Sequence, residues 1–201
     1  MIRHVMGSVL VSVVTLTGGA MALAQENASD LIRKECSTCH GPRGVSVAPT
    51  FPNLAGQPTP YLEAQLKAFR DRSRADPHAQ AFMWGMAAQL SDSVISEIAQ
   101  FFSAQAPARG KPGDAAEIAA GKKIYDEGIE AQHVPPCGSC HGDKAQGNGP
   151  FPRLAGQHRG YLERQLEVFA TNMRANEIMH ENAKNLSALQ ISQVAAFLSA
   201  Q

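Results

Sequence analysis

The stretch Cys137-Gly-Ser-Cys140-His141 sets two thiols three residues apart with an imidazole directly after the second, so one helical turn presents all three groups to a single flat partner. This is the pattern of covalent haem c attachment: each thiol adds to a vinyl group of the porphyrin, and the adjacent histidine reaches the iron. The same arrangement stands earlier as Cys36-Ser-Thr-Cys39-His40, and the two motifs use all 4 cysteines. A zinc site built from the two pairs would span about a hundred residues, whereas structural zinc motifs close within a few tens. A thioredoxin-like thiol pair would need a strand leading into it, and no β-branched run precedes either motif.

Working outward, each motif is followed by the same block, Phe51-Pro-Asn-Leu-Ala-Gly-Gln57 in the first half and Phe151-Pro-Arg-Leu-Ala-Gly-Gln157 in the second. Tyr61-Leu-Glu-Ala-Gln-Leu66 answers Tyr161-Leu-Glu-Arg-Gln-Leu166, Phe69 answers Phe169, and Leu90-Ser91 answers Leu186-Ser187. A repeat this long means duplicated domains. The apolar residues recur at helical spacing, with a helix around Tyr61 to Phe69 and its copy, and final helices carrying Val94, Ile98 and Phe102 or Ile191, Val194 and Leu198. Ser187 with Gln190 forms a capping box, and Ser91 caps its counterpart. A first helix runs from about Ser29 into the Cys36 motif, and in the second copy from about Asp114 to Glu127. No strand is expected, so the fold class is all-α.

The chain opens on an apolar run closing at Ala22-Leu23-Ala24, which reads as a secretory signal over residues 1–24; an uncleaved anchor is the alternative. Residues 25–106 then form the first domain, the Pro- and Gly-rich 107–113 a linker, and 114–201 the second domain. Domains this small bury little apolar surface of their own, so a haem would supply much of each core. The 18 basic and 18 acidic side chains give no net charge and no nucleic-acid footprint.

The iron's second axial ligand is sought among Met83, Met86, Met173 and Met179. Met83 stands seven residues before Leu90 and Met179 seven before Leu186, so the repeat selects this pair, placed in the loop between the two repeated helices. A packing role is the ordinary alternative for a methionine. His180 is a rival ligand, with Trp84 at its place in the first copy. His78, His133 and His158 are expected to be solvated or capping, and Pro49 and Pro150 to offer their carbonyls to the proximal imidazoles. Arg70, Arg72 and Arg74 read as a solvated loop, with propionate or partner pairing as the alternative.

Taken together, the motif pairs, the Phe-Pro-x-Leu-Ala-Gly-Gln blocks and the register of the methionines resemble the dihaem cytochrome c4 family, tandem class I cytochrome c domains, over essentially all of residues 25–201. The resemblance implies two covalent haem c groups per chain. Cys36, Cys39, His40 and Met83 would serve one, and Cys137, Cys140, His141 and Met179 the other. It further implies a periplasmic electron carrier, in some cases loosely associated with the membrane, that takes electrons from a redox protein donor and passes them toward a terminal oxidase. No residue is read as catalytic and no enzyme activity is expected. The alternative is the haem subunit of a larger dehydrogenase, such as a flavocytochrome c sulfide dehydrogenase; a haem peroxidase would need an open sixth site.

Overall fold

The computed structural model describes residues 27–201; the expected signal segment, residues 1–24, lies outside them. In the first half, α1 (Ala28–Leu31) runs through a π-helical turn (Ile32–Cys36) into α2 (Ser37–His40), followed by α3 (Thr59–Arg70), a second π-helical turn (Ala79–Met83), α4 (Trp84–Ala87) and α5 (Asp92–Ser103). The second half repeats this as α6 (Ala115–Glu127), a 3₁₀ turn (Glu130–Gln132), α7 (Gly138–His141), α8 (Arg159–Ala170), α9 (Glu177–Ala183) and α10 (Ala188–Ser199). Among the described residues only two isolated β-bridges occur, Ile129 with Val134 and Asn148 with Phe151.

The helix starts follow local chemistry. Ser91 accepts from the Val94 N–H, Asp114 from Glu117 and Asn176 from Met179, while Ser187 and Gln190 close the expected reciprocal box. The expected loops around Met83 and Met179 are instead helical. Asn176 supplies a cap to α9, and the first copy winds a π-turn that ends on Met83 itself.

Each half has its own apolar core. Leu62 of α3 packs with Val94, Ile98 and Phe102 of α5 and with Ile32; Leu162 of α8 packs with Val194, Phe197 and Leu198 of α10 and with Ile124 and Tyr125 of α6. Small and large residues trade places between the copies. Gly44 adopts φ +77° and a Cβ there would lie 2.7 Å from Phe102, whereas Ala145, at the same turn with φ +51°, faces the smaller Leu198.

The turn after α3 is repeated after α8. Arg72 and Asn172 take left-handed φ of 58° and 57°, and Arg74 and Arg174 donate their N–H groups back to Ala68 and Val168. That reversal sends both arginines inward rather than into solvent, and they are 8% and 7% exposed. The expectation of a solvated Arg74 is therefore corrected.

Helices α6 and α10 meet at Gly121, where a Cβ would sit 1.9 Å from the Gln193 carbonyl oxygen. Alanine in a helix interior normally gains about 1 kcal/mol over glycine. Here the crossing reverses the sign: Gly121→Ala is expected to destabilise the second domain by about 1–3 kcal/mol, read as a lowered thermal midpoint of the haem-loaded protein.

Candidate haem sites

Both Cys-x-x-Cys-His motifs end on a short helix whose last residue is the histidine, and both chains leave it through a glycine with positive φ: Gly41 at 79° and Gly142 at 84°. A Cβ on Gly41 would come within 2.2 Å of the Val45 carbonyl oxygen, so only glycine lets the chain double back under the imidazole. The returning segment carries the residue that fixes the ring. His40 Nδ1–H donates to the Pro52 carbonyl at 2.9 Å and His141 Nδ1–H to the Pro152 carbonyl at 3.0 Å.

These are not the prolines expected. Pro49 turns its carbonyl to Arg164 of the second domain, and Pro150 lies in the tight turn that joins Asn148 to Phe151. The next proline along, inside the repeated Phe-Pro block, reaches the histidine once the turn has closed. Phe51 and Phe151 stand edge-on to the two imidazoles at 6.0 and 6.2 Å.

The donor chemistry fits haem c. His40 and His141 are each 7% exposed, and burial holds their pKa below the ordinary imidazole range despite the opposing bond to the proline carbonyl, so the rings are neutral. With Nδ1 committed as a donor, Nε2 carries the lone pair and has no protein partner among the described residues. Cys36, Cys39, Cys137 and Cys140 are unpaired and half-buried. Burial pushes the Cys36 and Cys137 thiols up to about 11, so they are uncharged.

Of the four candidate methionines, Met83 is half-buried against the cluster of Phe69, Ala79 and Ala87, and Met179 is half-buried on α9. Met86 and Met173 are 44% and 54% exposed. The rival His180 donates from Nδ1 to the Phe169 carbonyl at 2.8 Å, and Trp84 in its place donates to the Arg74 carbonyl at 2.8 Å. Both rings thus brace the short helix beside the methionine. His78 and His133 are exposed. His158 is not: it is 6% exposed and donates across the domain boundary to the Ser46 carbonyl at 3.1 Å.

Sequence reasoning passed over the surface between the domains, which is polar and two-fold. Gln57 reaches Arg153, with its Nε2 donating to the carbonyl at 2.7 Å and its Oε1 accepting from the N–H at 3.0 Å. Gln157 makes the same pair with Asn53, at 3.0 and 2.8 Å. Nearby, the Oε1 atoms of Gln65 and Gln165 each accept from both Arg74 and Arg174. Arg74 also pairs with Asp76 at 2.8 Å, Arg174 donates to the Tyr61 hydroxyl at 3.2 Å, and the two guanidinium groups lie over Phe69 and Phe169. The available signal was the recurrence of glutamine at matching places in the repeat, Gln57 with Gln157 and Gln65 with Gln165.

Comparison with known proteins agrees with this geometry. The cytochrome c family profile matches residues 25–104 and again residues 118–201. Cytochrome c-552 of Acidithiobacillus ferridurans is 40% identical over 194 residues, 96% of this chain and 84% of that one. The thiosulfate dehydrogenase electron acceptor of Thiomonas intermedia is 35% identical over 174 residues, 83% of this chain and 78% of that one. Among solved structures, cytochrome c4 of Acidithiobacillus ferrooxidans superposes with a TM-score of 0.79 at 42% identity, covering 83% of this chain and 98% of that chain. Two neutral, carbonyl-anchored histidines behind two thiol pairs, in a duplicated helical fold shared with these proteins, place the chain in the cytochrome c4 family, with two cytochrome c domains in tandem and one covalent haem c for each.

Proposed function

We propose that this protein is a periplasmic electron carrier that shuttles single electrons between a redox protein donor and a terminal oxidase, without transforming a substrate. The observation that carries the reading is the matched pair of buried, neutral imidazoles, each locked through Nδ1 to a proline carbonyl. When bound, haem c supplies a reversible one-electron couple. The protein's part is to hold the ligands still. Cys36 and Cys39 would anchor one porphyrin and Cys137 and Cys140 the other. His40 and Met83 would hold one iron, and His141 and Met179 the other.

A methionine in addition to the histidine on each iron would suit transfer of charge and disfavour peroxidase chemistry. Trp84 and His180, each tied to a backbone carbonyl, would keep the methionine helices from swinging away. The domains are taken as residues 25–106 and 114–201, with 107–113 between them.

No helix among the described residues is long and apolar enough to cross a membrane. The export reading rests on the leader-like residues 1–24 and on haem c attachment. A second reading, as the haem subunit serving a larger dehydrogenase, is favoured by the likeness to the thiosulfate dehydrogenase electron acceptor. Co-purification with a dehydrogenase or a flavoprotein would select it.

Two measurements test the proposal. The exported protein is expected to have the mass of residues 25–201 plus two haems; a chain retaining residues 1–24 would overturn the cleavage, and a colourless one the cofactor assignment. In the oxidised protein, Met83→Ala and Met179→Ala should each remove about half of the sulfur-to-iron charge-transfer band and let the reduced protein bind carbon monoxide. Met86→Ala should do neither, and loss of the band in that variant would break the ligand register.

A further inference from the structure

One peptide group joins each proximal histidine to the opposite domain. The carbonyl of the Pro52–Asn53 peptide accepts from His40 Nδ1, and the N–H of that same peptide donates to Gln157 Oε1 at 2.8 Å. In the other half, the Pro152–Arg153 carbonyl accepts from His141 Nδ1, and its N–H donates to Gln57 Oε1 at 3.0 Å. Asn53, Gln57 and Gln157 are buried, at 7%, 6% and 5% exposed, and Arg153 is half-buried. Each glutamine is also held by its Nε2 to the carbonyl of the residue it serves, so its oxygen cannot turn away.

We infer that Gln57 and Gln157 are crossed positioning residues, each setting the donor strength of the histidine in the other domain and thereby the reduction potential of the other haem. This rests on the two-haem reading proposed above. An N–H hydrogen bond polarises its amide and makes the carbonyl of that amide a stronger acceptor. A stronger acceptor at Nδ1 gives the imidazole more imidazolate character, and the more basic ligand favours ferric iron. Each glutamine therefore lowers the potential of the haem it does not share a domain with. The same contacts make the domain interface part of both proximal ligand shells, so the two centres are tuned only in the docked arrangement.

The sign separates this role from simple glue. Loosening the interface admits water to both haems, which favours the ferric state and moves both potentials down. Loss of one relay moves a single potential up.

The test is a redox titration of the full haem-loaded chain, followed by NMR, with the haem methyl signals assigned to a domain by comparison with Met83→Ala and Met179→Ala. Gln57→Met is expected to shift the haem of the His141 domain upward and leave that of the His40 domain in place; Gln157→Met is expected to do the reverse. A shift in the glutamine's own domain, a downward shift of both, or no shift overturns the inference. Amide hydrogen exchange of the unsubstituted haem-loaded protein gives a check that needs no variant: Asn53 and Arg153 should exchange slowly, and rapid exchange at either also overturns it. Failure of the electron-carrier reading looks different, since a chain without two methionine-ligated haems has no pair of assigned steps to follow.

Discussion

The hydrogen bond from His40 or His141 Nδ1–H to a proline carbonyl is the constraint around which each domain is arranged. It requires the chain to leave the histidine, reverse, and bring a carbonyl back beneath the ring within about a dozen residues. Gly41 and Gly142 start that reversal with a backbone conformation other residues avoid, and the N–H groups of Leu54 and Ala55, or Leu154 and Ala155, close it on the Gly44 or Ala145 carbonyl. Gly56 and Gly156 then bond to the Phe102 and Leu198 carbonyls, which fastens the loop to the last helix of its domain. The imidazole orientation is thus set by the packing of a helix about sixty residues further along.

Duplication kept this arrangement while the copies drifted in ways that compensate locally. A Cβ at Gly44 would press on Phe102, whereas the second copy carries Ala145 at positive φ in one core cluster with Leu198. Residues Gly128 to Pro136 extend the second copy before its haem motif; Ile129 and Val134 pair across this insertion, and Asn185 donates to the Gln132 carbonyl at 2.9 Å. Asp76 has the polar but uncharged Asn176 as its counterpart; each accepts the N–H three residues on, from Ala79 and from Met179, and Asp76 in addition pairs with Arg74. The two copies consequently share the turn that ties histidine to proline and differ around Met83 and Met179.

Much of this was legible in the residues. The helices, their caps at Ser91 and Ser187, and the tandem organisation all follow from short-range chemistry and periodicity, which a sequence displays directly. The helical character of the Met83 and Met179 segments was missed because neither has a sustained apolar period; a cap and a π-turn make them helical. The identity of the carbonyl under each histidine was off by one turn, since Pro49 and Pro52 differ only in how tightly the intervening loop closes. Arg74 sits in a run of charges, Arg70-Asp-Arg-Ser-Arg-Ala-Asp76, that reads as solvated. Its burial depends on the left-handed residue at 72, and nothing in composition announces that Arg72 adopts it. The side chain of His158 and the glutamine clasps reach across to the other domain, so no reading of one copy at a time finds them.

The polar character of the interface also explains why the two cores remain separate. An apolar surface between the domains would merge them into one core and allow several sliding registers, because apolar contact is nondirectional. A square of two arginines and two glutamine oxygens has one register. Burying Arg74, Arg174 and Asp76 is costly in itself, and replacing such groups by well-packed apolar residues is often neutral or stabilising. Removing one partner of a buried pair, by contrast, costs about 3–5 kcal/mol, because the remaining charge is left in a poorly solvated site. A slipped docking would strand the arginines in this way, so the penalty that makes the cluster a poor source of stability makes it an effective guide. The domains are held in the one alignment in which Gln57 and Gln157 meet the peptides beneath the opposite histidines.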